Sequence, residues 1–384
     1  MKKALYVGNF ASPDINAAGK RVLGVSLLLR ECGYSIEMIG YQPGFTEKVD
    51  IANGITFSSF PDYGKSAGKK YIEWLKGKDS STIDLIVRYG SPGLATFDYY
   101  LWKYAKNHKI PLIADVVDWL YAASSNPVFN IIKSCDTFLE KAFLNQYCCD
   151  GIIAISSFLY NFYKFPPQKK IIIPPLAERY KDNTTTNRVP RIIYAGIPFR
   201  LGTTIKKNIQ MKDRIDIIFK VFYRLEMRGI PFETNIIGIT KSDFITAFPA
   251  YANDANQTKQ IIFAGKKTMQ QIEEIYSEMD FSILIRDITR ATTAGFPTKI
   301  VESMSLGVPA ITNRTSDIAH YITNRTNGFL VDASNNQTLE DQIMRVLETS
   351  EPELKEIKKR VFEEKRFSSQ SFKHDFVTFL KSFQ

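Results

Sequence analysis

The stretch Thr292–Asn313, TTAGFPTKIVESMSLGVPAITN, sets a lysine and a glutamate, Lys299 and Glu302, one helical turn apart. Ile300, Val301 and Met304 share a helix face by their spacing. Pro297-Thr298 is a helix-start signal with Thr298 as the expected N-cap. Gly307 can close the helix in the left-handed conformation, and Pro309 stops it. Ala310-Ile311-Thr312 then reads as a strand. A helix N-terminus with a lysine beside it suits a phosphate. A glutamate one turn further in suits the paired hydroxyls of a ribose. A solvated surface helix would carry the same letters.

Two loops supply further cations. In YAGIPFRLGTTIKKNIQMKDRID, Tyr194–Asp216, Gly196 ends a strand and Arg200, Lys206, Lys207 and Lys212 follow. Several cations at the mouth of a cleft can clamp a diphosphate. ILIRDITRATTAGFPTK brings Arg286, directly after a strand and expected to point into a cleft, and Arg290 towards the same place. In the first half, GNFASPDINAAGKRV contains Gly19, which would permit close approach of a substrate to a helix start, and Lys20-Arg21, which could meet an anion. The plainer reading of that segment is an ordinary turn. Neither GxGxxG nor GxxxxGK[ST] occurs there, which argues against a nicotinamide, flavin or P-loop site.

The elements that position these residues alternate along 384 residues, of which 44% are hydrophobic and 23% charged. That length suggests two domains. Strands are expected at Ala4–Phe10, Ser35–Tyr41, Asp84–Tyr89, Pro111–Val117, Gly151–Ile155 and Ile171–Ile173, with helices at Ala17–Cys32, Leu94–Asn107, Phe129–Tyr147 and Phe158–Tyr163. ERYKDNTTTNRVP, Glu178–Pro190, reads as a linker. A second alternation follows: strands Arg191–Ala195, Glu233–Ile237, Ile261–Ala264, Phe281–Ile285, Ala310–Thr312 and Phe329–Val331, and helices Lys212–Arg228, Met269–Met279, Ile300–Leu306 and Gln337–Glu348. The expected class is α/β, with doubly wound domains at 1–177 and 191–365 and a final helical segment at 366–384. Two such domains facing each other make a cleft, with ligands at the carboxyl ends of the strands.

The net charge of +10 is open to nucleic acid, a membrane surface or anionic small substrates. Zinc-finger spacing and RNP-like aromatics are missing, so nucleic acid is the weakest of these. No apolar run approaches a membrane span. Met1–Val7 reads as a buried strand rather than a signal peptide. Cys32, Cys135, Cys148 and Cys149 lack metal spacing and read as buried free thiols of a reducing cytosol. The three histidines, His108, His320 and His374, are expected on surfaces.

YAG…KD, IIFAGKKTMQQIEEIYSEMDFSILIR, AGFPTKIVESMSLGVPAITN and YITNRTNGFLV resemble, in order and spacing, the family 4 glycosyltransferases. The likeness is to bacterial members with a PTK…E motif, which build capsule, O-antigen or related surface polysaccharides. It implies the GT-B fold, an N-terminal acceptor domain and a C-terminal nucleotide-sugar domain, with the last helix crossing back. It also implies retaining transfer from a UDP- or GDP-linked sugar to a saccharide or lipid-linked acceptor. By that resemblance Glu302 would hold the ribose. Thr298 and Lys299, preceded by Gly295, Phe296 and Pro297, would lie along the diphosphate. Lys212, with Arg200, would neutralise it, and Gly19 would flank the donor from the other domain.

Two departures stand out. Where the family often has a sugar-side glutamate, this chain has Ala294. Where it often has a histidine beside an aspartate, this chain has Val117-Asp118-Trp119. Asp118 becomes the acceptor-side candidate, with Asp115 second and Trp119 available to stack on a sugar. With no DxD motif, cations rather than a metal are expected to take the leaving charge, and no cofactor is expected. The expected location is cytoplasmic, with peripheral contact to an anionic membrane through the lysine- and aromatic-rich Lys65–Asp79 and Tyr160–Lys170. Other readings are a GT-B-like sugar-nucleotide enzyme such as a 2-epimerase, and a non-enzymatic two-domain binding protein.

Overall fold

The computed structural model describes residues 2–45, 48–60, 67–90, 95–119, 127–177, 179–205 and 211–384. The chain forms two compact units. One is built from Met1–Glu178, Ala294–Phe296 and Ser368–Gln384, the other from Arg179–Thr293 and Pro297–Phe367.

The first unit holds an eight-stranded sheet of β1 (Lys2–Gly8), β2 (Tyr34–Gly40), β3 (Lys48–Ala52), β4 (Ile55–Ser59), β5 (Leu85–Tyr89), β6 (Leu112–Val116), β7 (Gly151–Ala154) and β8 (Lys170–Ile172). Its order is β3-β4-β2-β1-β5-β6-β7-β8, parallel except for the edge hairpin β3–β4. β1 sits between β2 and β5, and Ala4, Leu5, Tyr6 and Val7 are fully buried. An unbroken apolar run is what a strand covered on both faces requires. The helix Ala17–Glu31 starts at Asn16, whose side chain accepts the Gly19 N–H at 2.8 Å, and buries Val22, Val25, Leu28 and Leu29 on that sheet. The final helix, Lys373–Lys381, packs Phe376, Phe379 and Leu380 into the same core.

The segment expected as one helix, Phe129–Tyr147, divides. Pro127–Phe138 is α-helical, Leu139–Leu144 forms a π turn, and Asn145–Tyr147 resumes the α form. Against this turn sits Arg88, buried on β5. Its guanidinium lies 2.8 Å from Asp98 and 3.5 Å from Glu140, and it donates to the Asn145 side chain. Asn145 donates in turn to the Tyr163 hydroxyl at 2.8 Å. A π turn, with its i to i+5 bond, brings residues five apart over one another, so Glu140 and Asn145 can face one cation.

The second unit holds a six-stranded, wholly parallel sheet. Its strands are β9 (Arg191–Ala195), β10 (Glu233–Ile237), β11 (Ile261–Gly265), β12 (Phe281–Leu284), β13 (Ala310–Asn313) and β14 (Phe329–Val331), in the order β11-β10-β9-β12-β13-β14. The helix expected from Lys212 starts instead at Ile215 and runs to Met227, leaving Lys212 and Asp213 in the preceding loop. Its apolar face buries Ile218, Phe219, Phe222 and Leu225. The stretch Lys181–Asn187 is fastened to this unit. The Lys181 N–H donates to the Ser305 carbonyl at 2.8 Å, and the buried Lys358 amine donates to the carbonyls of Thr185 and Met279, both at 2.6 Å. Each sheet is a doubly wound, Rossmann-like layer.

Candidate anion-binding site

In the second sheet the strand order reverses between β9 and β12, the place where such sheets bind ligands. Gly196 directly follows β9, and Arg286 comes two residues after β12. The helix Thr298–Ser305, which leads into β13, contributes Lys299. These three sequence candidates meet around Asp213, a residue the sequence reading gave no role.

Arg286 Nε donates to Asp213 Oδ1 at 2.8 Å, the Lys299 amine donates to Asp213 Oδ2, and the Tyr194 hydroxyl donates to Oδ2 at 2.9 Å. Lys299 Nζ also reaches the Tyr194 hydroxyl at 3.3 Å. Asn313, at the end of β13, fixes the Arg286 backbone from both sides, accepting its N–H at 3.0 Å and donating to its carbonyl at 2.8 Å. Next to Asp213, the Arg214 N–H donates to the Ile285 carbonyl, and its guanidinium pairs with Asp216 and Asp287. The carboxylate therefore sits on a braced loop.

Asp213 is 2% exposed and Arg286 5%. Burial acts to raise the Asp213 carboxyl, but Lys299 and Arg286 outweigh it and hold the group down to about 2. Burial draws the Lys299 amine below the usual lysine range, with Asp213 as the main opposing influence. Burial and then the Asp213 charge push the Tyr194 phenol well up, so it remains a hydrogen-bond donor. Gly196 has φ of +153°, and a Cβ there would lie 2.1 Å from Lys299 Cε and 2.5 Å from Nζ. The end of the lysine occupies the space that a side chain at 196 would fill.

One carboxylate is divided between two cations at the carboxyl ends of β9 and β12. Arg286 Nη1 is buried without a hydrogen-bond partner among the described residues. A buried donor of this kind costs free energy until an acceptor arrives. The arrangement is suited to holding an anion. Among the described residues no group of three or more His, Cys, Asp or Glu could hold a metal ion.

The other candidates are placed less centrally. Arg200, Lys212 and Arg290 are exposed. Lys206 and Lys207 lie outside the described residues. Thr298 is not the N-cap: Pro297 takes that position with no side-chain cap bond, and Thr298 is the first helical residue. Gly307, at φ of +73°, lies just beyond the helix end. Glu302 is half-buried one turn along, close enough for its charge to act on Lys299 and Tyr276.

Gly19, Asp118, Gly295 and Phe296 belong to the first unit. The space a side chain at Gly19 would take is filled by the carbonyls of Ala11 and Ser12, at 2.4 and 2.7 Å from the Cβ position, so this glycine serves its own turn. Arg21 is buried and engaged within the unit. It clasps Asp115 through Nε at 3.2 Å and Nη2 at 2.9 Å and donates through Nη1 to the carbonyls of Ile173 and Pro174. Tyr6 adds a third bond to Asp115, at 2.5 Å. Asp115 is thereby occupied as a structural acceptor. Asp118 is half-buried beyond β6, and with burial and Asp115 its charge raises the Tyr89 phenol. Trp119 packs edge-on against Phe158 and Phe162, with Lys141 over its ring, so the ring is already engaged. Ala294 is fully buried, and its carbonyl accepts the Ser156 hydroxyl at 2.6 Å. Of the cysteines, Cys135 is exposed rather than buried, and burial pushes the Cys149 thiol up to about 12. All three histidines are exposed.

Gly196, Arg286, Lys299 and Asp213 thus form one cluster within the second unit. Residues 205–363 match the family model for glycosyl transferases group 1. No curated protein matches the chain. Solved structures with the same fold include a sucrose-phosphate synthase from Thermosynechococcus elongatus (TM-score 0.68, 12% identity, 99% of this chain and 98% of that one). Another is the lipopolysaccharide outer core galactosyltransferase WaaB in its apo form (0.63, 16%, all of both chains). A third is HepE from Anabaena in complex with UDP and glucose (0.64, 12%, all of both chains). The fold is that of the GT-B glycosyltransferases, and the group 1 match covers Asp213, Arg286, Lys299 and Glu302.

Asp213 escaped the sequence reading because an acid just before a helix looks like an ordinary cap. Arg21 carried a usable signal, a lone cation among the apolar positions of the helix that follows β1.

Proposed function

We propose that the protein is a retaining glycosyltransferase that moves a sugar from a UDP- or GDP-linked donor to a saccharide or lipid-linked acceptor in surface-polysaccharide assembly. The observation that carries the reading is the pairing of two cations, the half-buried Lys299 and the buried Arg286, on Asp213 within the group 1 segment at the switch point of the second sheet.

Cleaving the bond between a sugar and a nucleoside diphosphate leaves negative charge on the departing phosphate. In this reading Lys299 and Arg286 Nη1, the latter without a hydrogen-bond partner among the described residues, meet that charge, and fixed cations there lower the barrier. Glu302, one turn inside the helix, accepts the ribose hydroxyls. Lys212 and Arg200, exposed on loops, and Arg290, exposed at the start of the helix Arg290–Ala294, close on the phosphates when the donor arrives. The leaving phosphate takes the acceptor's proton on the face it departs from, which retains the anomeric configuration without a strong protein base. Asp118 orients the acceptor. No metal is required in this scheme. The bound UDP of HepE supports the choice of a nucleoside diphosphate. No helix among the described residues is long and apolar enough to cross a membrane, and a lipid-linked acceptor would be met by peripheral contact.

The test is a panel of UDP- and GDP-sugars. The true donor at 100 times its dissociation constant raises stability by about 2.7 kcal/mol. Product from that donor with EDTA present, carrying the donor's anomeric configuration by NMR, establishes the reaction. An inverted product or restoration only by Mn²⁺ or Mg²⁺ refutes the corresponding part.

A further inference from the structure

We infer that Asp213 is a positioning residue: its carboxylate fixes the Lys299 amine and the Arg286 guanidinium at the carboxyl ends of β9 and β12, so that a nucleoside diphosphate meets two cations already in place. The inference rests on the donor reading above and deepens it.

The geometry is one carboxylate divided between two cations. Oδ1 takes Arg286, and Oδ2 takes Lys299 and Tyr194. The split leaves Arg286 Nη1 without an acceptor among the described residues and leaves the Lys299 amine, on a side chain 21% exposed, at the edge of the cluster. Both are donors to an incoming phosphate oxygen. The Gly196 slot lets the lysine extend over the end of β9 to reach this position. Among the described residues four groups act on the amine. Asp213 favours its charged form, Tyr194 contributes a hydroxyl, Arg286 opposes the charge, and Glu302 on the same helix favours it. Asp213 precedes Glu302 in influence, so removing it leaves a largely buried lysine beside an arginine.

A carboxylate that merely braced the fold would affect binding equally at every pH. A carboxylate that keeps Lys299 charged gives a pH signature. Asp213→Asn keeps the shape and removes the charge, so the lysine in the variant loses its proton at a lower pH than in the parent. Diphosphate must then bind together with a proton.

The experiment is calorimetry of UDP and GDP with the full chain at pH 6.5 and pH 8.5, each in two buffers of different ionisation enthalpy. The parent is expected to bind with similar affinity at both values and to take up almost no proton at pH 8.5. Asp213→Asn is expected to bind about 10- to 100-fold more weakly at pH 8.5, the range for losing a charged hydrogen bond. It should recover part of that loss at pH 6.5 with proton uptake, and Asp213→Asn combined with Lys299→Met should lose the pH dependence. Equal binding by parent and Asp213→Asn, or an equal loss at both pH values, overturns the inference alone. Should Asp213→Asn fail to fold, the parent still decides: uptake of about one proton per diphosphate at pH 8.5 overturns it. A parent that binds neither UDP nor GDP overturns the donor reading and this inference with it.

Discussion

Replacing Gly196 with alanine tests whether this glycine exists to make room for Lys299. The substitution has two separable costs. The backbone at φ of +153° lies in a region essentially restricted to glycine, and a side chain there costs about 1–3 kcal/mol. The new methyl would also stand 2.1 Å from Lys299 Cε, so the lysine must leave and Asp213 loses one of its two cations. Breaking a buried pair outright costs about 3–5 kcal/mol. Here Arg286 remains on the carboxylate and the displaced amine can reach water, so about 1–2 kcal/mol is expected. The single variant should therefore lose about 2–5 kcal/mol. With a urea slope of about 2 kcal/mol per molar, that lowers the unfolding midpoint of the second unit by roughly 1–2.5 M. In a Lys299→Ala background there is no lysine to displace, so only the backbone cost remains. The double-mutant cycle should show a coupling of about 1–2 kcal/mol. If Gly196→Ala costs the same in both backgrounds, the lysine does not depend on the slot and the reasoning fails.

Glu302→Ala should weaken free nucleoside diphosphate and nucleotide-sugar alike, by about 10- to 100-fold in calorimetry, because the contact assigned to it is with the ribose. Unchanged affinity for either removes that role. Arg21→Ala should cost the first unit about 3–5 kcal/mol in urea unfolding, since it leaves Asp115 buried with only Tyr6, while nucleotide binding by the second unit stays intact. A cost below about 1 kcal/mol contradicts the clasp. Iodoacetamide at pH 8.5 should label exposed Cys135 first and leave Cys149 unmodified until urea unfolds the chain, because a thiol raised to about 12 is almost wholly protonated there. Mass spectrometry of the digested protein reads this directly.

The apolar alternation in the sequence located the β12 and β13 strands to within a residue, because their runs are short, buried and bounded by loops. The edge hairpin β3–β4 was missed although Asn53-Gly54, the strongest short hairpin signal, lies between its strands and both KVDIA and ITFSS alternate apolar and polar residues; each run is only five residues long. Lys299 and Arg286 were legible as cations after strands or at a helix start. Their shared partner was not, because pairing across 73 and 86 positions is set by the order in which strands assemble and leaves no local mark. Arg21 and Asp115 show the converse limit. Each has the residue type and placement of a binding group, and only the folded chain reveals that they satisfy one another.

The π turn at Leu139–Leu144 bears on how this region tolerates change. In an ordinary α-helix, with about 100° per residue, positions five apart point roughly 140° away from each other. Glu140 and Asn145 could not then both reach Arg88. The helix is therefore keyed by length as well as by chemistry. A conservative exchange at an exposed position such as Phe143 leaves the count intact. Inserting one residue between Glu140 and Asn145 would set them six apart and turn one partner off the buried guanidinium, whereas deleting one would let the segment return to the α form with the two at i and i+4, again on one face. For this helix an added residue is a more damaging edit than a removed one.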